Sequence, residues 1–375
     1  MNDLVLKNGR VVDPSQALDK LTDIAFANGK VSAIGDGLSG TSERDVRGKI
    51  VAPGLIDLHT HVYWGGTSLG VEAELLARTG GVTTFVDAGS AGPGNFHGFR
   101  KHVIEPSAVR ILPYLNVSFP GIFAFSKAVM VGENCDMRLI DAREAVRVAH
   151  EHKDLVLGIK VRVGRTASGD SGVAPLDIAL DVAEEVGLPV MAHLDMPPPS
   201  RREVMDRLRP GDILTHCFRP FPNAPVRADG KVRDEVLAAR SRGVIFDIGH
   251  GGGSFGFGTT RGMLAAGFLP DVISSDVHVI SIEGPAFDLL TTMSKFLCLG
   301  VDLSTVIKLA TVNAALAIKR PGLGTLKVGS VGEATVIDLV SGTFDYADSI
   351  GEHMSGDKRL LSAGVVLAGR WWHPA

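Results

Sequence analysis

The feature that most restricts the fold is an alternation of eight short apolar runs with helical stretches. The runs are LIDLHTH (55–61), TTFVDAG (83–89), RILPYLNVS (110–118), LVLGIKVRV (155–163), LPVMAH (188–193), DILTHC (212–217), VIFDIG (244–249) and VISSD (272–276). Stretches such as PLDIALDVAEEVG and VRDEVLAARSRG fall between many of them. Parallel strands need a crossover to bring the chain back to the same edge, so this alternation predicts a parallel sheet with helices around it. Eight such units over about 250 residues is the count of a (β/α)8 TIM barrel. A last helical pair, AFDLLTTMSKFLCLG and LSTVIKLATVNAALAI, follows the eighth run.

The flanking text has a different rhythm. LVLKNGRVVD and IAFANGKVSAI each set an Asn-Gly, Asn8-Gly9 and Asn28-Gly29, between alternating apolar residues. That pattern predicts two tight hairpins. RDVRGKIVAPG supplies another strand, and beyond Gly322 the segments TLKVGSVGEATVIDLV and LLSAGVVLAGRWW return to strand-like text. Neither terminal piece can bury both faces alone. Residues 1–52 and 323–375 are therefore expected to pair into one small β-sandwich beside a barrel of residues 53–322.

Composition excludes several classes. Hydrophobic residues make up 45% and charged residues 21% of the 375, ordinary globular usage, so wholesale disorder is not expected. The net charge is −4 with no long block of either sign, which argues against nucleic acid or an anionic membrane surface as partner. No stretch approaches the roughly 18 apolar residues of a membrane-spanning helix. The opening MNDLVLKNGRVVDP lacks the apolar core of a signal peptide. Three scattered cysteines, Cys135, Cys217 and Cys298, form no disulfide framework, and a reducing cytoplasm is the expected location.

In a barrel of this kind reactive groups sit at the C-terminal ends of strands. His59 and His61 end the first run, His193 the fifth and Asp276 the eighth; His216 lies near the end of the sixth, and Lys160 within the fourth. Residues i and i+2 on a strand face one side, so His59 and His61 can both face the axis. A single buried histidine is ordinarily hydrogen-bonded structure. Four histidines and an aspartate at strand ends together point to a metal, and these N and O donors suit zinc while also accepting manganese, iron or cobalt. Lys160 weighs most, because an unpaired ammonium in an otherwise apolar run costs several kcal/mol. It needs a partner or a modification; addition of CO2 would turn it into an anionic carbamate ligand.

At this point the chain resembles a known family. APGLIDLHTH, with its HxH at His59 and His61, is similar to the signature of the amidohydrolase superfamily. Lys160, His193, His216 and Asp276 follow in the order and spacing of its binuclear members, which include dihydroorotases, hydantoinases and related deacetylases. The closing LATVNAALAIKRPGLGTLKVGSVGEATVIDL also resembles that family's tail. The resemblance implies two divalent metal ions per chain, zinc by preference, and N6-carboxylysine at Lys160. It implies one metal on His59, His61 and Asp276, the other on His193 and His216, and Lys160 between them. The nucleophile would be a hydroxide bridging the metals, with Asp276 as general base and then acid.

Departures from subfamily patterns narrow the substrate. Dihydroorotases usually carry an arginine two residues after the HxH, where this chain has Tyr63. The D-aminoacylase branch uses a cysteine where this chain offers Lys160, and adenosine-deaminase-like members lack the bridging lysine. A deacetylase-like hydrolase, cutting an amide or ester of a small carboxylate-bearing molecule, fits best. Arg162, two residues after Lys160, is the candidate carboxylate reader. Asn116, Ser118 and Tyr63 are further candidate contacts, as are His250, Gly251 and Gly252 in the glycine-rich stretch GHGGGSFGFG (249–258). That stretch has no Walker or dinucleotide spacing. Cyclic amide hydrolysis is the runner-up. A catalytically silent scaffold homologue would have lost a metal ligand, and all six are present. Cys217, facing away from His216, is not expected to act as a nucleophile. His278 either approaches the site or is a polar loop residue. The Trp371-Trp372 pair covers the sandwich or a contact in a homo-oligomer.

Overall fold

The computed structural model describes residues 1–372. The chain opens with β1 (Asn2–Asp13), β2 (Leu18–Ala27), β3 (Lys30–Gly35), β4 (Gly40–Asp45) and β5 (Ile50–Pro53). Seven strands follow: β6 (Leu55–Thr60), β7 (Val82–Ala88), β8 (Arg110–Asn116), β9 (Ile159–Val163), β10 (Val190–Leu194), β11 (Ile213–Leu214) and β12 (Ile245–Phe246). The last are β13 (Ala334–Ala347), β14 (His353–Leu367) and β15 (Arg370–Trp372).

Strands β6 to β12 form one parallel sheet in sequence order. The eighth run is not a regular strand, yet it bridges both edges of that sheet. Val272 pairs with Asp247 and Val277 with Thr60, both parallel. Asp276 N donates to His59 O at 2.7 Å, and Ile248 N to Val272 O at 3.1 Å. The sheet therefore curls until its edges meet across residues 272–277. The sixth and seventh runs pair over only two residues each, because the backbone soon leaves the extended region at His216 (φ 61°) and Gly249 (φ 46°). Ile159, Val161 and Val163 pack outward against the surrounding helices, so Lys160 and Arg162 point inward. Ile56, Val86, Tyr114, Met191 and Ile213 fill the interior.

Helices Ala174–Glu185, Asp234–Arg242 and Leu289–Cys298 fall on predicted stretches. The final predicted helix is split into Leu303–Leu309 and Val312–Ala317. Between them Thr311 is non-helical (φ −131°, ψ −98°), and its hydroxyl bonds back to Ile307 O at 2.6 Å, competing with the helical ladder. Among the described residues no helix is long and apolar enough to cross a membrane.

Both chain ends join one eight-stranded sheet, with β5 linking β1 to β13. Asn28-Gly29 turns β2 into β3 as expected, but Asn8-Gly9 does not form a hairpin. It is a bulge inside β1, with Asn8 at φ 62° and its N–H given to Asp23 Oδ1 at 2.9 Å. The bulge marks where the far edge of β1 changes partner, from β4 (Asn2–Lys7) to β5 (Arg10–Val11). A Cβ at Gly9 would lie 2.8 Å from Val51 Cγ2, so only glycine fits there. The terminal strands form one hydrogen-bonded sheet branched at β1. The Arg44 guanidinium of β4 lies 4.6 Å from the Trp371 ring of β15, which also packs on the apolar core of this sheet.

Candidate metal centre

Three expected ligands converge at the rim of the curled sheet. His59 Nε2 and His61 Nε2 each lie 3.3 Å from Asp276 Oδ1, and His216 Nε2 lies 4.0 Å from Asp276 Oδ2. Two ligand atoms about 2.0–2.1 Å from a tetrahedral ion are themselves about 3.3–3.4 Å apart, so His59, His61 and Asp276 are spaced for one cation. The His216 ring lies 5.0 Å from that of His59 and 4.4 Å from that of His193, which extends the cluster sideways. A register shift in β6 between Asp57 and Thr60 accompanies the turn of both His59 and His61 toward the centre. His216 and Asp276 (φ 61° and 48°) hold left-handed conformations unusual for non-glycines, the kind of strain that gathers at functional sites.

Each candidate ligand histidine near Asp276 is oriented from behind. Thr215 donates its hydroxyl proton to Asp247 Oδ2 at 2.7 Å, so it accepts from His59 Nδ1 at 2.7 Å. Ser90 donates to Asp87 Oδ2 at 2.8 Å and accepts from His61 Nδ1 at 2.9 Å. His216 Nδ1 donates to Gly249 O at 2.7 Å. These bonds put the proton on Nδ1 and leave each Nε2 lone pair aimed at the centre. Asp57 stands behind the aspartate, taking Ser275 N–H at 2.9 Å and Ser275 Oγ–H at 2.5 Å.

Burial sets the charges. Desolvation drives His59, His193 and His216 well below the usual histidine range and His61 to about 3, so all four are neutral imidazoles. The same burial raises Asp276 to about 6, against the opposing influence of neighbouring His278, Lys160, Arg162 and Arg219. Lys160 is fully buried and among the described residues its Nζ has no hydrogen-bond partner; burial lowers it to about 7. His193 Nε2 is likewise buried without a partner. Gly89 makes room for the lysine, since a Cβ there would lie 2.5 Å from Lys160 Cβ. Two buried nitrogens without a hydrogen-bond partner among the described residues, beside a cluster of neutral imidazoles, are what a site built to hold cations leaves behind.

No family-wide sequence model matches the chain. Individual relatives do. A deacetylase of Agrobacterium fabrum is 36% identical over 352 residues, spanning 93% of this chain and 86% of that protein. A solved dihydroorotase structure overlays with TM-score 0.91 at 33% identity, covering 99% of both chains. An adenine deaminase structure overlays equally well, TM-score 0.91, at 28% identity over the whole of both. The chain belongs to the amidohydrolase superfamily. It is a hydrolase by that membership, and the His59–His61–Asp276 cluster lies where the superfamily signature ends β6.

Above the ligands of this amidohydrolase opens a cavity of about 250 Å³, lined by Arg162, His193, Arg219, Gly252, Asp276, His278 and neighbouring residues. Arg162 reaches it as expected, one layer beyond Lys160. It faces Glu133 at 3.6 Å and stacks 5.0 Å from the Phe125 ring. Three other candidate contacts do not line it. The Asn116 amide is taken by Gly89 O at 3.0 Å and by Ser118 N at 2.9 Å. Tyr63 stacks on Phe99 at 4.5 Å and donates to Asn95 O at 3.2 Å. His250 turns outward to Lys295, 2.7 Å away. Gly252 lines the cavity, and Gly251 lies against Asp276, where a Cβ would come within 2.2 Å of Oδ2. His278 approaches the site, its ring 6.1 Å from that of His61. Arg219 was not legible beforehand. It follows His216 by three residues, and the left-handed turn at His216 (Arg219 N to His216 O, 3.0 Å) carries it back over the site.

Proposed function

We propose that this amidohydrolase removes an acyl group, held as an amide or ester, from a small substrate bearing a carboxylate. One observation carries the reading: two guanidiniums line the cavity above the histidine–aspartate cluster, each with a buried Nε–H that has no hydrogen-bond partner among the described residues. Among the described residues Arg162 has only Glu133, at 3.6 Å, and neither its Nε nor Glu133 Oε1 has a hydrogen-bond partner. Arg219 donates to Ser254 Oγ at 2.6 Å, its Nε is unpartnered, and among the described residues no carboxylate lies within ion-pair distance. Buried guanidinium N–H groups left without an acceptor are costly, and a substrate carboxylate supplies acceptors. The name of the Agrobacterium fabrum relative agrees with deacylation.

In this reading the curled sheet is a (β/α)8 barrel of residues 53–322, and the terminal strands are its companion domain. His59, His61 and Asp276 would hold one divalent ion, zinc by preference, and His193 and His216 a second. The ions supply Lewis acidity, acidifying water and polarising the scissile carbonyl. Lys160 carries its neutral amine onto CO2, forming a carbamate and releasing one proton; a lysine held at about 7 has that free amine at neutral pH. The resulting anion faces the interior between the two ligand sets. Asp276, raised to about 6, accepts a proton from the attacking water and returns it to the leaving group. Gly251 lets the backbone close over that carboxylate and limits its rotation. Arg162 and Arg219 orient the substrate and exclude water from its charged end.

Ring opening of a cyclic amide is the second reading, favoured by the overlay on the dihydroorotase structure. Tyr63 weighs against it, because its hydroxyl is engaged with Asn95 O, outside the cavity. The deciding measurement is kcat/KM of the metal-loaded protein on one panel. It holds both enantiomers of N-acetyl amino acids and O-acetyl 2-hydroxy acids, with dihydroorotate and hydantoins. Enantioselective deacylation that loses about 10²-fold in kcat/KM in Arg219→Met is the expected result. Efficient ring opening, with acyclic substrates untouched, would replace this reading with the second.

A further inference from the structure

Lys295 is a second lysine in this protein that is almost completely buried, and no part of the metal centre uses it. It sits on the helix Leu289–Cys298, 1% exposed. Its ammonium donates to three acceptors on three separate segments: His250 Nε2 at 2.7 Å, Pro285 O at 2.8 Å and Ala347 O at 2.8 Å. His250 Nδ1 in turn donates to Gly251 O at 2.9 Å, which leaves Nε2 as the acceptor, and its ring stacks on Phe255 at 4.5 Å. Ala347 ends β13, and the hairpin tip beyond it grips the same loop. Ser349 Oγ donates to Gly251 O at 3.2 Å, Ser349 N to Phe255 O at 3.0 Å, and Phe257 N to Asp348 Oδ2 at 2.9 Å.

While two of the Lys295 bonds tie the ammonium to Pro285 and Ala347, its bond to His250 and the bonds from the hairpin tip meet on residues 250–257, a stretch rich in glycine with little stiffness of its own. Its inner side carries Gly251 against Asp276 and Gly252 into the cavity. We propose that Lys295 is a positioning residue that fixes the glycine-rich roof of the active site from behind, and that the β13–β14 hairpin is thereby a working part of the catalytic face. The geometry explains why a cation is buried here: three acceptors surround one ammonium, and each belongs to a segment that must be held still relative to the others. The consequence for turnover rests on the hydrolase reading; the mechanical role does not.

Hydrogen–deuterium exchange on the metal-loaded full chain tests it, comparing wild type with Lys295→Met and Ser349→Ala. In Lys295→Met, amides of 249–258 should exchange about tenfold faster while those of β6–β10 stay as they were. With metal content unchanged, kcat on the best substrate should fall about tenfold and KM less. Ser349→Ala removes one side-chain bond and keeps Lys295, and it should speed exchange in the same segment by a smaller factor, about twofold to threefold. Unchanged exchange at 249–258 in both variants would overturn the proposal, as would acceleration spread evenly along the chain. If Lys295→Met does not fold, Ser349→Ala decides alone. If no substrate of the panel turns over, the proposed deacylase reading fails while exchange still judges the positioning role.

Discussion

The hydroxyl oxygen of Thr215 lies 2.7 Å from Nδ1 of His59. Its proton goes to Asp247, which is held on its other oxygen by Ser274 at 2.6 Å, so the threonine can only accept from the imidazole. His59 is thereby fixed in one tautomer and one ring orientation. Thr215→Val keeps the shape and removes the acceptor. It should weaken metal binding by about 10–100-fold in a chelator competition titration, whereas Thr215→Ser stays near wild type. Equal affinity in all three proteins would show that Thr215 does not orient the ligand.

Lys160 is fully buried, and among the described residues its Nζ has no hydrogen-bond partner. If a carbamate on its amine joins the two ligand sets, Lys160→Ala should retain about half of the metal or less, by elemental analysis. Formate, acetate or propionate, which can stand in the vacated space, should then restore part of both metal content and turnover. Full metal content with no response to added acids would remove the bridging role.

Lys295 makes stability depend on pH in a defined direction. Burial lowers its pKa to about 7, against the raising charges of Asp348 and Asp288, while the unfolded chain keeps the ordinary value of 10.5. Below about 7 both states hold the proton and the full cost of burying the charge is present. As pH rises from 7 toward 10.5 the folded state has shed its proton while the unfolded state still holds one, so that cost shrinks by up to about 1.4 kcal/mol per pH unit. Unfolding free energies of wild type minus Lys295→Met, measured from pH 7 to 9.5, should therefore rise with pH. A flat difference would mean that Lys295 is not perturbed.

Much of this protein was readable from local pattern. Alternating runs and helices marked the parallel sheet, because side-chain period and crossover length are local properties of the chain. An inward face at Lys160 and Arg162 followed from the apolar residues on either side of them, and HxH placed two imidazoles on one side of a strand end. What completes the site was not readable, since it joins residues far apart in sequence. His59 meets Thr215, 156 residues away, and His61 meets Ser90. Arg219 enters the cavity through a left-handed turn at His216, and His250 leaves it for Lys295, because backbone direction in a glycine-rich loop is set by what grips it. Asn8-Gly9 shows the same division. Its two residues favour left-handed backbone in either setting, but a partner strand continuing past it on β1 made it a bulge instead of a turn. Local sequence determined which side chains face inward; the curling and register of the sheet decided which of them meet, since hydrogen bonds between strands depend on alignment that no single strand encodes.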